Sequence, residues 1–150
     1  MRFGVHLPQY GRAASAASVR AAARQAEELG FDDVWVYDHV VVPSSLTYPK
    51  PFAFEPLTTL AFAAGATSRV GLGTSVLVLP YRNAVYLSKA LASLDLLSEG
   101  RLILGVGIAA DAPSIRAEFA AACVPFERRV GRMMEGLRLC RSSLPSFCRL

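Results

Sequence analysis

Two adjacent residues in this 150-residue chain are suited to moving protons, Asp38 and His39. They follow the apolar run Val34-Trp35-Val36-Tyr37, so they fall at the carboxyl end of a predicted strand. An imidazole beside a carboxylate can be tuned to act as an acid or base near neutral pH. The plainer alternative is that Asp38 caps a turn and His39 is an ordinary loop residue. Three further segments end predicted strands: Leu7-Pro8-Gln9-Tyr10, Thr74-Ser75-Val76, and Gly105-Val106-Gly107-Ile108-Ala109-Ala110-Asp111. The small residues of Gly71-Leu72-Gly73-Thr74-Ser75 would let a flat ligand approach the backbone, or let neighbouring strands pack closely. His6 and Trp35 lie inside apolar runs and are expected in the core.

The segment from Gly105 to Ala110 matches G-x-G-x-x-G/A in form. A dinucleotide fingerprint also needs a helix opening at its third small residue and an acid about 20 residues on, at a strand end. Pro113 delays the helix, and Glu127 falls in a helical pattern, so the match does not carry that reading.

These positions are held by an alternation of short apolar runs and amphipathic segments. Strands are expected at Arg2–Leu7, Val34–Tyr37, Val70–Val78 and Leu102–Val106. A helix capped by Ser15 or Ser18 would bury Val19, Ala22, Ala23, Ala26 and Leu29 and stop at Gly30. A second spans Glu55–Ala66. A third, capped by Asn83, runs to Ser98 and buries Leu87, Leu91, Leu94 and Leu97, with Gly100 as its stop. Pro113–Ala122 and Phe126–Arg141 follow, and a long loop carries Pro43, Pro49, Pro51 and Pro56. Loops of that length in compact domains are commonly functional or disordered. Strand and helix in alternation imply a parallel sheet with right-handed crossovers, an α/β fold. The strands show little alternation of apolar and polar residues, as expected when both faces are covered. An open doubly wound sheet fits the pattern, and so does part of a (β/α)8 barrel. A whole barrel takes about 250 residues.

Composition narrows the function classes. Hydrophobic residues make up 53% of the chain and charged residues 19%, which excludes a disordered tail. No apolar run approaches the ~18 residues of a membrane helix, so no membrane partner is expected. The net charge of +4 comes from scattered arginines without interleaved aromatics, so no nucleic-acid partner is expected either. Cys123, Cys140 and Cys148 lack CxxC spacing, and neither His6 nor His39 pairs with them as a metal site would require. Reduced thiols and the absence of a signal architecture at the N-terminus point to a cytoplasmic protein.

Taken in order, the motifs resemble the luciferase-like monooxygenase family of flavin- and deazaflavin-dependent (β/α)8 enzymes. They are Phe3-Gly4-Val5-His6-Leu7-Pro8-Gln9, the stretch from Ala26 to Val36, Asp38-His39, the stretch from Glu55 to Ala61, the stretch from Thr67 to Leu77, Leu94-Asp95, and the stretch from Ser98 to Gly107. The resemblance covers about residues 1–141 and implies four parallel strands with flanking helices, half of a (β/α)8 barrel. It implies that His39 is the active-site acid/base and that Asp38 contacts the ring or its ribityl chain. Thr74, Ser75 and Val76 would lie beneath the ring, with a non-prolyl cis peptide at Ser75-Val76, and Gly107 and Ala109 would line the cofactor. The implied reaction is hydride transfer between a small-molecule substrate and the deazaflavin coenzyme F420. An FMN-dependent monooxygenase using molecular oxygen is the alternative.

The sequence departs from the family at two places. Asp111, after Ile108-Ala109-Ala110, stands near an acidic residue of many deazaflavin-dependent relatives, one position out of step. The stretch 142–150 does not resemble the family's continuation and reads as an aberrant tail after a premature end. A four-stranded half-barrel has two unpaired edges, so weak cofactor binding is expected, with a non-catalytic fragment or a homodimer of half-barrels as alternatives.

Overall fold

The computed structural model describes residues 1–41 and 52–143; most of the expected proline-rich loop, with Pro43, Pro49 and Pro51, and the end of the expected tail lie outside them. Four strands, β1 (Gly4–His6), β2 (Asp33–Val36), β3 (Gly71–Val78) and β4 (Leu102–Gly107), form one parallel sheet in the order β1-β2-β3-β4. Between them run α1 (Ala16–Glu28), α2 (Pro56–Ala64) and α3 (Ala84–Leu97). After β4 come α4 (Pro113–Ala121), a 3-10 turn at Phe126–Arg128, and α5 (Arg129–Ser143), which packs against α3.

The helix starts follow local chemistry. Ser15 caps α1 by accepting from the Ser18 N–H, and the Ser18 hydroxyl accepts from the Ser15 N–H in return. Asn83 Oδ1 accepts from the N–H groups of Val85 and Tyr86 at the start of α3. Glu55 is the cap of α2 rather than its first residue, because Pro56 takes the first helical position without needing a donor.

Adjacent parallel strands joined by right-handed crossovers place α1, α2 and α3 on the same side of the sheet. That side is the core: Val34, Val36, Leu72 and Leu102 meet Val19, Ala23, Leu60, Leu87 and Leu91. The expected faces slip at their ends. Leu29 and Leu97 are exposed, and the α3 stripe continues instead from Leu94 to buried Ser98. A helical face drifts with a 3.6-residue period, so the fourth position of the α3 stripe falls one residue later than expected, while Leu29 lies past the end of α1 as its C-cap.

The opposite, concave side explains the missing alternation differently from the expectation that both faces are covered. Among the described residues helices cover one face only, and on the other the strands carry glycines and a few large rings. Trp35 lies over Gly4 and Gly73, each of which would drive a Cβ into the indole. Trp35 is half-buried there, and His6 is exposed and stacked on Tyr37 with ring centroids 4.2 Å apart. Neither is a core residue in the helix-covered sense.

Candidate active site

The carboxyl ends of the four strands bring together residues far apart in sequence. Gln9, 1% exposed, locks the ends of β1 and β2: its amide donates to the carbonyls of Tyr37 and Phe54, and its oxygen accepts from the Tyr37 N–H. The chain therefore turns at Asp38 from a fixed point.

Asp38 is buried, and its carboxylate has three donors. Oδ2 accepts from the Val78 N–H (2.8 Å) and from Arg82 (2.6 Å), and Oδ1 accepts from Arg82 (2.9 Å). Arg82 also reaches Glu55 at 2.9 Å, tying the end of β2 to the start of α2. Asp38 thus acts on the site by holding β2 against the end of β3. A planar guanidinium meeting a carboxylate through two parallel bonds suits that task.

His39 stands beside it with its side chain 40% exposed. Its Nδ1 lies 3.0 Å from Oε1 of Glu118 on α4, while Oε2 accepts from the Val40 N–H at 2.9 Å. Glu118 is 2% exposed and is the residue that sequence reasoning missed. Its signal was present: a carboxylate on the apolar side of a short helix, next to Phe119 and three residues after Ile115. Phe119 anchors α4 by packing edge-on against Tyr81 and Phe126. The Glu118 hydrogen bond, opposed by burial and aided by the charges of Glu118 and Asp38, holds the His39 imidazole above its ordinary titration range.

At the end of β3 the register slips. Thr74 pairs with Leu104 but Leu77 with Val106, so β3 carries one extra residue there. Ser75 and Val76 are both exposed in consequence, and the peptide between them is cis. Thr74 is buried and turned to structure: its hydroxyl donates to the Gly105 carbonyl (2.8 Å) and accepts from the Gly105 N–H (3.1 Å). Gly107 lies against Val76, and a Cβ there would collide with that side chain. Ala109 follows with φ of 59°, a left-handed conformation that costs a non-glycine residue about 1 kcal/mol or more. The exposed residues at the end of β3 are thus Ser75 and Val76, with Gly107 packed against Val76 and Ala109 beyond it.

Asp111 is exposed and bound to Arg116 through both oxygens, at 2.7 and 2.8 Å. That hydrogen bond holds its carboxyl below the usual range, which suits an ion-pair partner and not a proton donor. Among the described residues no group of His, Cys, Asp and Glu could hold a metal ion, and no helix is long and apolar enough to cross a membrane.

Residues 1–146 match the family model for luciferase-like monooxygenases. The chain is 38% identical over 120 residues to the F420-dependent glucose-6-phosphate dehydrogenase of Amycolatopsis mediterranei, covering 79% of this chain and 35% of that enzyme. It is 34% identical over 123 residues to the 5,10-methylenetetrahydromethanopterin reductase of Methanolobus tindarius, covering 81% of this chain and 32% of the reductase. Among solved structures, the monooxygenase RslO1 from Streptomyces bottropensis superposes with a TM-score of 0.77 at 32% identity, over 94% of this chain and 42% of that one. The chain therefore spans about a third of the length of the curated relatives it matches. Four parallel strands with flanking helices, laid on such a neighbour, are one half of its barrel. The ordered match along nearly the whole chain, and the superposition that goes with it, show that this chain belongs to the luciferase-like monooxygenase family.

Proposed function

We propose that the strand ends described above form part of the active site of an oxidoreductase that exchanges a hydride between an organic substrate and coenzyme F420, with His39 as the acid/base. The observation that carries this reading is His39 itself: one ring nitrogen is held by a buried carboxylate, while the side chain stays open at the carboxyl end of β2. Ligands of barrel and doubly wound folds bind at that end of the sheet. F420 dependence of the dehydrogenase relative supports the choice of cofactor.

The residues present fit a planar ring. Ser75 and Val76 are exposed, Gly107 lets the Val76 side chain lie close against β4, and Ala109 turns in the left-handed region, which leaves a low surface that a flat tricycle can lie on. When bound, a deazaflavin supplies the hydride acceptor. Ser75, Val76, Gly107 and Ala109 would hold the ring by contact, and Thr74 would keep the two strand ends in register beneath it. Asp38 would hold the β2 end through Arg82 and Val78. His39 would take the proton from a substrate hydroxyl as its carbon loses hydride, or return it in the reverse direction.

A second reading is an FMN-dependent monooxygenase, whose monooxygenase part draws on the likeness to the monooxygenase RslO1. Spectral titration of the 150-residue protein with F420 and with FMN separates the two. Saturable binding of F420, lost in Gly107→Val, is the expected result. Saturation by FMN alone, with turnover that needs molecular oxygen, would reverse the choice.

A further inference from the structure

Glu118 is a buried carboxylate that the reading above uses only as a neighbour, and its two oxygens are divided in a telling way. Oε2 accepts from the backbone N–H of Val40, which sets the plane of the carboxylate, and Oε1 is left facing Nδ1 of His39. A carboxylate can only accept, so the bond requires a proton on Nδ1, and in the neutral ring the lone pair then lies on Nε2. We propose that Glu118 is the positioning residue of a carboxylate–histidine pair, fixing the His39 tautomer so that Nε2 is the atom that exchanges protons with substrate. This deepens the reading of His39 as acid/base and rests on it.

A purely structural staple between α4 and the β2 end would need the Val40 bond alone. The placement of α4 argues for more. Phe119, fully buried among Tyr81, Val78, Val124 and Phe126, fixes the helix so that the preceding residue points at the imidazole. Among the described residues, the other ionisable groups around the ring make no hydrogen bond to Nδ1. Asp38 is committed to Arg82 and Val78, and the Tyr10 ring stands with its centroid 6.0 Å from that of His39. Tyr81, buried edge-on against Phe119, feels the charges of Glu118 and Asp38, but its hydroxyl makes no hydrogen bond to either among the described residues.

The test is made on the free protein, so it is independent of whether F420 binds. Histidine labelled with 15N gives two ring systems, His6 and His39, and His39→Gln assigns them. In the wild-type protein, long-range proton–nitrogen correlation at high pH should show His39 as the Nδ1–H tautomer. Glu118→Gln keeps one oxygen for the Val40 N–H and turns an NH2 donor toward Nδ1, so it favours a bare Nδ1 and the Nε2–H tautomer. The expected result is loss of the Nδ1–H preference and a His39 titration midpoint lower by at least about 0.5 pH unit, a threefold fall in proton affinity. An Nε2–H tautomer in the wild-type protein overturns the proposal without any variant, so a Glu118→Gln chain that fails to fold does not protect it. An unchanged tautomer and midpoint in folded Glu118→Gln also overturns it. Failure of F420 to bind while these signals behave as expected would instead remove the cofactor assignment.

Discussion

Glu27, at the C-terminal end of α1, offers the sharpest test of how the barrel layer is pinned. Its carboxylate accepts from the N–H groups of Ser68 (3.1 Å), Arg69 (2.5 Å) and Val70 (2.9 Å) and from the Ser68 hydroxyl (3.3 Å). Partial burial pushes the carboxyl up, but the Val70, Arg69 and Ser68 donors more than offset that and bring it down to about 2. Against an ordinary value near 4.3, such a fall corresponds to ~3 kcal/mol of preference for the ionised form in the folded state. Water reaches the group, and screening reduces the contribution to ~1–2 kcal/mol. A carboxyl depressed on folding stabilises fully above its unfolded value and loses that contribution as the pH falls through its folded value. Glu27→Gln should therefore lower stability by ~1–2 kcal/mol at pH 7, and the gap to wild type should narrow below pH ~4 and close near pH ~2. Urea unfolding followed by circular dichroism at a series of pH values reads this directly. A gap that stays constant from pH 7 to pH 3, or one below ~0.5 kcal/mol at pH 7, would refute the argument.

Arg82→Leu strands the buried Asp38 carboxylate and should cost ~3–5 kcal/mol, whereas Glu55→Gln, which weakens an exposed ion pair and a helix cap, should cost ~2 kcal/mol or less. Equal losses in urea melts of the two variants would mean that Asp38 is not held chiefly by Arg82. Gly73→Ala forces a methyl into the indole of Trp35, so it should destabilise by ~1–3 kcal/mol and shift the emission of the single tryptophan. Unaltered emission with full stability would show that the indole does not lie over Gly73 in solution.

Much of the fold was legible in sequence because it depends on local rules. The caps at Ser15 and Asn83 and the stops at Gly30 and Gly100 are chemistry within a few residues, whereas Pro56, read as a loop breaker, opens α2. The parallel sheet followed from alternation and handedness. The errors lay where tertiary context decides. His6 and Trp35 looked like core because they sit in apolar runs, but a strand presents alternate residues to opposite faces, and theirs is the face without helices.

The site divides in the same way. Asp38-His39 stood out because two titratable residues end an apolar run, and Gly105 and Gly107 were visible as small residues at a strand end. No spacing rule joins His39 to Glu118, which lies 79 positions on, or Asp38 to Arg82, 44 positions on. Each pair forms because separate strand–helix units pack onto one sheet and bring their carboxyl ends together. By itself the sequence determined which segments form strands and helices and which residue types end them. Only the tertiary structure decided that Asp38 holds strands together, that Thr74 serves Gly105, and that a buried glutamate faces His39. Hydrogen bonds depend on distance in space, and between elements of a sheet that distance is set by packing.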